Sequence, residues 1–128
     1  MELIAIVAGL ALLQVFVFAF QVGKQRAAHG VSAPAMSGHP EFDRMFRVHQ
    51  NTVENLIIFV PALWMFGNYV HAEIGAGIGV VFIIARQIYC RAYMGNPKNR
   101  GTGFGLGALA SMILLLGGMI GAGLAYFS

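Results

Sequence analysis

The sequence has a single cysteine, Cys90, so the chain has no partner thiol with which to form an internal disulfide bond. One cysteine leaves the redox compartment undetermined. A redox role for this thiol is the less favoured interpretation, because an isolated cysteine in an apolar helix usually packs as a small hydrophobic residue. We expect Cys90 to do the same.

Charged residues are also scarce, at 10% of the chain, whereas hydrophobic residues make up 58%. A soluble domain carries about a quarter charged residues, so this sequence could not cover a water-facing surface. The net charge of +3 could suggest nucleic-acid binding. The basic residues, however, are confined to the ends of apolar segments, which is typical of a membrane interface.

Four apolar stretches approach the length of about 20 residues that a bilayer requires. Helix-breaking residues separate the first stretch from the second at residues 30–40. They separate the third from the fourth at residues 96–101, where Pro97 cannot continue a helix. The first stretch carries Glu2 and no basic residue at its start, so we predict a retained helix rather than a signal peptide. The sequence thus predicts an all-α, integral membrane four-helix bundle, one domain over residues 1–128 with helices at about 3–28, 41–70, 73–95 and 102–127.

The basic residues all fall in the first and third connections or in the helix ends that meet them. They are Lys24, Arg26, Arg44, Arg47, Arg86, Arg91, Lys98 and Arg100. The positive-inside rule then predicts that these connections are cytoplasmic and that both termini lie on the opposite side. Short loops and the absence of sorting tails favour a bacterial inner membrane.

Two stripes of polar residues run along predicted membrane helices. Arg47, Asn51 and Glu54 share one face of the second helix, and Arg86, Tyr89 and Tyr93 share one face of the third, with Arg100 beyond the Pro97 turn. We expect Glu54 to pair with Arg86 or Arg47, because an isolated charge at this depth is costly. The stripes could be structural ion pairs. An excess of arginine over carboxylate favours a site for an anionic ligand instead.

Glycines recur at helical spacing in the last two helices. Gly75 and Gly79, Gly103 and Gly107, and Gly117 and Gly121 are each four residues apart. Such small-residue faces allow membrane helices to approach closely. A dinucleotide-binding loop is a poor interpretation of the glycines near 103–107, because no strand precedes them.

Two motifs in this sequence resemble a known family, the membrane-associated proteins in eicosanoid and glutathione metabolism (MAPEG). The first is Arg-Val-His-Gln-Asn-Thr-Val-Glu at residues 47–54, and the second runs from Arg86 through Gly-Asn-Pro-Lys-Asn-Arg at residues 95–100. Within the family they look most like the microsomal glutathione S-transferases of types 2 and 3, and the leukotriene C4 synthase branch is similar. In that last branch a tyrosine follows the matching glutamate, whereas this chain has Asn55, which puts leukotriene synthesis in doubt.

The resemblance implies a homotrimer that binds glutathione between neighbouring subunits near the cytosolic face, with no metal and no nucleic acid. It implies that Arg100 stabilises the glutathione thiolate as the catalytic residue. The residues implied to hold glutathione are Arg26, Arg47, Asn51, Glu54, Arg86, Tyr89 and Tyr93. The apolar second substrate would arrive from the lipid.

The function implied is a detoxifying glutathione transferase that acts on apolar electrophiles, with glutathione peroxidase activity on lipid hydroperoxides as an extension. A non-catalytic protein of the same fold that binds or presents a lipid is the main alternative. A small proton-coupled exporter is disfavoured, because such exporters need a carboxylate in the middle of the first helix, where this chain has Gln14.

Overall fold

A computed structural model describes residues 1–128 as four long α-helices joined by short connections. Helix α1 spans Glu2–His29, α2 spans Pro40–Tyr69, α3 spans Ala72–Gly95 and α4 spans Gly101–Phe127, with a 3-10 turn at Pro97–Asn99 before α4. Helices α2 and α3 pack against each other, and α1 and α4 each pack against both of them. The all-α architecture predicted from the sequence is confirmed.

Local side chains define where the helices begin and end. Gly30 ends α1 with a left-handed φ of 65°, a conformation that glycine adopts without a Cβ penalty. The side chain of His39 accepts a hydrogen bond from the backbone N–H of Glu41 at the start of α2. The side chain of His71 likewise accepts one from Ile74 at the start of α3. The two-residue connection from Tyr69 to Ala72 makes α2 and α3 an antiparallel hairpin.

The buried residues form two clusters along the bundle axis. The larger one includes Phe59 and Phe82, whose rings stack with centroids 3.9 Å apart. The smaller one lies at the end of the bundle that carries the basic residues and includes Phe18, Phe42 and Tyr89. Side chains from α1, α2 and α3 thus close this end of the molecule and support the polar residues described below.

The exterior of the bundle is apolar, as expected of a protein in lipid. Phe16, Phe20, Ile57 and Leu124 are each at least 65% exposed. Three helices are long and apolar enough to cross a membrane, namely α1, α3 and the segment from Pro97 through α4. Helix α2 has 30 residues, but its first half is too polar for this criterion. An integral membrane bundle agrees with the sequence prediction.

The predicted small-residue faces lie at contacts between helices. Gly79 of α3 faces Val7 of α1, and a Cβ there would come within 2.6 Å of the valine side chain. Gly121 of α4 faces the backbone of Tyr69 at the end of α2. These close approaches, as the spacing predicted, are what small residues permit in a membrane bundle.

Candidate functional site

A polar cleft of about 430 Å³ opens at the basic end of the bundle, among α2, α3 and the start of α4. Its volume lies within the range of about 300–1,000 Å³ that is typical of small-molecule sites. Five residues predicted from the sequence line it, together with one that was not. The lining residues are Arg47, Asn51, Tyr89, Tyr93, Arg100 and Phe104.

Arg86 lies directly behind this cleft and is 1% exposed. Its Nη2 donates to Asn51 Oδ1 at 2.7 Å and to Thr52 Oγ1 at 2.9 Å, and its Nε donates to the same Thr52 oxygen at 3.2 Å. The guanidinium also lies over the Tyr89 ring, 4.2 Å from its centroid. Arg86 therefore connects two lining residues, Asn51 and Tyr89, and adds a buried positive charge to the cleft wall.

The Asn51 amide is held in one orientation. Its Oδ1 accepts from Arg86 and also from the Nδ2 group of Asn55, at 3.2 Å. Asn55 Nδ2 donates in addition to the Asn51 backbone carbonyl at 2.7 Å. Because two donors occupy its oxygen, Asn51 presents the nitrogen of its amide to the cleft, where it can donate to an anion.

Aromatic rings form one wall of the cleft. The Tyr89 and Tyr93 rings lie 5.5 Å apart, and the Tyr89 and Phe104 rings lie 6.3 Å apart, both in tilted arrangements. A tyrosine presents an apolar ring and a hydroxyl that can donate a hydrogen bond. The cleft thus combines cationic groups on one side with a partly apolar surface on the other.

The turn before α4 places Arg100 at the cleft. Asn96 accepts a hydrogen bond from the backbone of Lys98 at 3.1 Å, and Arg100 Nη1 donates to the Pro97 carbonyl at 2.9 Å. Arg100 is the exposed N-cap residue of α4, and no side chain caps this helix start. The guanidinium and the positive end of the helix dipole therefore lie together, an environment that favours an anion.

Gly103 allows α4 to begin against α3. A Cβ at this position would lie 2.6 Å from the Tyr89 backbone nitrogen and 2.9 Å from the Ala85 carbonyl oxygen. Only a residue without a side chain fits this contact. The close approach brings Arg100 and Phe104 beside Tyr89 and Tyr93.

The expected pairing of Glu54 with Arg86 or Arg47 is wrong. The only ion pairs are those of the N-terminal amino group with Glu2 and of His29 with Glu41. Glu54 is exposed, and Arg86 instead takes the neutral acceptors Asn51 and Thr52. Two neutral oxygens accept from its Nε and Nη2 groups, and the spacing of residues on separate helices could not specify this choice.

Besides Arg86, which lies behind the cleft, two predicted site residues do not line the cleft of a single chain, namely Arg26 and Glu54. Arg26 donates from Nη1 to the Ala35 carbonyl at 2.8 Å and lies over the Phe42 ring, 4.7 Å from its centroid. It thereby holds the first connection against the start of α2. Arg26 remains at the same end of the bundle as the cleft, and Glu54 lies about one turn beyond Asn51, at the middle of α2.

Thr52 and Phe104 are site residues that sequence reasoning missed. Thr52 lies within the quoted motif of α2, next to Asn51, and its burial beside a buried arginine is visible only in the structure. Phe104 follows Gly103 in an apolar helix, and nothing in its sequence surroundings distinguishes it from a lipid-facing residue. The chain has no cluster of three or more His, Cys, Asp or Glu side chains that could hold a metal ion.

The arrangement can bind an anion and stabilise a negative charge. Arg47 and Arg100 line the cleft, Arg86 lies behind it, and no carboxylate pairs with any of the three. Arginine binds carboxylates through paired N–H donors. A ligand with more than one carboxylate and an apolar portion would match both walls of the cleft.

Comparison with known proteins agrees with these features. The model of the MAPEG family matches residues 4–120. An uncharacterized protein of Synechocystis sp. is 39% identical over 116 residues, which cover 91% of this chain and 85% of that protein. Human microsomal glutathione S-transferase 2 is 44% identical over 88% of this chain and 78% of its own length. Leukotriene C4 synthase of Cavia porcellus is 37% identical over 70% of this chain and 59% of its own length.

Proposed function

The chain belongs to the MAPEG family, and from this premise we propose that it is a membrane-bound glutathione transferase that joins the glutathione sulfur to apolar electrophiles. One observation carries the proposal. Arg47 and Arg100 line a single cleft and Arg86 lies buried behind it, with no carboxylate of the chain paired to any of them. Uncompensated positive charge at a buried site is costly, and an anionic substrate would offset that cost.

Glutathione has the groups that this cleft lacks. Its two carboxylates suit Arg47 and the Asn51 amide nitrogen, since charged acceptors form the strongest hydrogen bonds with such donors. Arg86 acts here by fixing the orientation of Asn51 and the position of Tyr89. The hydroxyls of Tyr89 and Tyr93 supply further donors along the peptide.

Arg100 is proposed as the catalytic residue. A free thiol has a pKa of about 8.5, and a neighbouring cation lowers it, which increases the fraction of the nucleophilic thiolate. Arg100 lies at the uncapped start of α4, where the helix dipole adds to its charge. In the reaction the thiol proton passes to solvent, a new carbon–sulfur bond forms, and the leaving group departs from the electrophile.

Peroxidase activity is the second part of the proposal. The same thiolate would attack an oxygen of a lipid hydroperoxide, which releases the lipid alcohol and leaves glutathione as a sulfenic acid. A second glutathione molecule would then reduce that intermediate to the disulfide and water. The apolar exterior around the cleft, including exposed Phe104, suits a substrate that arrives from lipid.

We further propose a homotrimer in a bacterial inner membrane with the cleft on the cytoplasmic side. The homotrimer would complete the glutathione site between neighbouring subunits. This would account for Arg26 and Glu54, which lie outside the cleft of one chain. The cytoplasmic orientation rests on the basic residues, all of which lie at the cleft end of the four helices.

The proposal is tested by glutathione conjugation to a chlorodinitrobenzene in detergent, with native protein and Arg100→Ala. Loss of a group that stabilises charge in the transition state typically lowers kcat by about 10²–10³, and we expect a decrease of this size. Lys98→Ala is the matched control, because Lys98 is an exposed cation of the same turn and does not line the cleft. We expect it to keep native turnover.

A second measurement separates catalysis from lipid presentation. Glutathione added to the native enzyme should increase the ultraviolet absorbance of the thiolate, and Arg100→Ala should not show this increase. If native protein neither conjugates glutathione nor forms the thiolate, the non-catalytic alternative is favoured. Equal turnover of Arg100→Ala and native protein would remove Arg100 from the mechanism.

A further inference from the structure

A second polar cleft, of about 510 Å³, opens between α1 and α3 at the same end of the bundle. It shares no lining residue with the first cleft, because α3 contributes different faces to the two. Five of its lining residues are polar, and three are apolar or weakly polar. The polar ones are Gln21, Lys24, Gln25, Gln87 and Arg91, and the others are Met45, Cys90 and Met94.

The cleft lies near the ends of two membrane helices. Lys24 is five residues before the end of α1, and Arg91 is four residues before the end of α3. At 1.5 Å per residue, both basic residues lie roughly 6–8 Å from these ends. This is the depth at which lipid headgroups meet a spanning helix.

The seam between α1 and α3 is closed deeper in the bundle. Gln14 Nε2 donates to the Ile83 carbonyl at 3.0 Å, which connects the two helices. Gln14 is two turns before Gln21 on the same helix face, and Ile83 is about one turn before Gln87. The helices therefore pack together within the span and separate towards the basic end, where the cleft is.

The polar groups of the cleft lack partners within the chain. The Oε1 atoms of Gln21 and Gln25 are buried and accept no hydrogen bond. Buried polar atoms in native proteins almost always have a partner. Lys24 and Arg91 make no ion pair, and no Asp or Glu lines the cleft. A fitting ligand would therefore carry an anionic group for Lys24 and Arg91.

Apolar side chains continue from the cleft towards the membrane interior. Val17 is one turn before Gln21, and Ile84 is about one turn before Gln87, so they extend the same two helix faces. Val17 is 51% exposed and Ile84 is 53% exposed. A ligand with a polar head in the cleft would have its chains along these residues.

We propose that this cleft binds an anionic phospholipid such as phosphatidylglycerol. Lys24 and Arg91 bind the phosphate, and the acyl chains lie over Val17 and Ile84. Basic pockets between membrane helices on the cytoplasmic side are known to bind such headgroups. This site is separate from the glutathione cleft and does not depend on the proposed catalysis.

The test is native mass spectrometry of the detergent-purified protein, titrated with short-chain phosphatidylglycerol or with phosphatidylcholine of the same chain length. We expect bound phosphatidylglycerol and little phosphatidylcholine. A basic residue near anionic lipid contributes a factor of about five in affinity. Lys24→Gln and Arg91→Gln should therefore each weaken phosphatidylglycerol binding about fivefold, and the double variant about 25-fold. Lys98→Gln, outside both clefts, is the matched control and should bind like native protein.

Three outcomes would overturn the proposal. Equal binding of both lipids would exclude recognition of an anionic headgroup, and native affinity in the double variant would exclude this cleft. Binding of glycerol phosphate as tight as that of the lipid would indicate a soluble ligand. A native circular-dichroism spectrum and thermal unfolding of the double variant verify its folding. Dissociation of an oligomer in that variant, without loss of lipid affinity, would instead assign the cleft to an interface between copies.

Discussion

At the scale of single residues, the site depends on how a buried arginine is satisfied. Arg86 has no carboxylate partner, and its hydrogen bonds go to Thr52 Oγ1 and Asn51 Oδ1. Thr52 in turn donates to the Val48 carbonyl at 2.8 Å. Its hydroxyl therefore accepts from Arg86 and donates to Val48 at the same time. The arginine thus keeps its positive charge beside the cleft while its Nε and Nη2 groups are hydrogen-bonded.

Replacing Thr52 by valine tests this arrangement with little change in shape. Arg86 would lose the acceptor of two of its N–H groups, and an unsatisfied buried donor costs about 1–3 kcal/mol, more when it is charged. We expect Thr52→Val to lower the free energy of unfolding in detergent by about 2 kcal/mol or more. Thr102→Val, at an exposed threonine of α4, should have little effect. Equal stability of both variants would contradict the role given to Thr52.

Asn51→Asp should separate stability from ligand binding. The new carboxylate gives Arg86 a charged partner, so we expect unchanged or increased thermal stability. The same change replaces the amide nitrogen that faces the cleft with a negatively charged oxygen, and we expect the KM for glutathione to rise at least about tenfold, as loss of a charge-assisted hydrogen bond predicts. Asn68→Asp, at the opposite end of α2, exposed and outside the cleft lining, is the control and should leave KM unchanged. A KM unaffected by Asn51→Asp would show that Asn51 does not contact glutathione.

At the scale of helices, the start of α4 determines the geometry of the cleft. The turn at Pro97–Asn99 reverses the chain after α3, and Gly103 then packs on the backbone of Tyr89. Arg100 and Tyr93, which lie on opposite sides of this turn in the sequence, therefore line one cleft. The distance between α3 and α4 at Gly103 therefore determines how close Arg100 and Tyr93 lie to each other.

Gly103→Ala should displace α4 from α3. Its Cβ would meet the Tyr89 backbone, which cannot move as a flexible side chain can. Overpacking of this kind costs about 1–3 kcal/mol, and we expect a loss of stability of this size with a clear decrease in conjugation activity.

Gly105→Ala is the matched control for that substitution. It lies two residues further along the same helix, and a Cβ there has nothing within 4 Å. Glycine-to-alanine changes at unstrained helix positions stabilise by about 0.4–1 kcal/mol. Native activity in Gly103→Ala, or an equal decrease in both variants, would argue against a close α3–α4 contact at Tyr89.

At the scale of the whole molecule, the distribution of charge predicts the orientation in the membrane. The basic residues all lie at the end formed by the C-termini of α1 and α3 and the N-termini of α2 and α4. Glu2 and Glu73 lie at the opposite end, which has no basic side chain. Both proposed ligand sites occupy the basic end, so orientation decides which compartment supplies the glutathione.

Cysteine labelling can measure this orientation. In a Cys90→Ala background, Lys98→Cys should react with a membrane-impermeant maleimide only after the cells are opened. Glu73→Cys should react in intact cells with a permeabilised outer membrane. Both positions are exposed in the structure, whereas the native Cys90 is buried. The reverse labelling pattern would place the glutathione cleft on the side opposite to the cytoplasm.

The sequence by itself determined the membrane-bound class, the all-α fold and the family. Apolar length, scarce charge and helical spacing are local properties, and the two polar motifs of α2 and α3 lie within continuous stretches of chain. Spacing also identified Arg47, Asn51, Tyr89, Tyr93 and Arg100, which line one cleft in the structure. The boundaries seen differ from the predicted ones by only one residue, because glycine, proline and histidine at the helix ends act on their immediate neighbours.

Only the tertiary structure decided which partners these side chains take. The spacing of the polar residues predicted an ion pair of Glu54 with Arg86 or Arg47. The packing of α2 on α3 instead placed Asn51 and Thr52 within hydrogen-bond distance of Arg86 and left Glu54 exposed. The cleft between α1 and α3 also depends on where two distant segments separate, at Gln21 and Gln87, after meeting at Gln14 and Ile83. Contacts between helices depend on the rotation and distance of whole elements, and a one-dimensional pattern fixes neither.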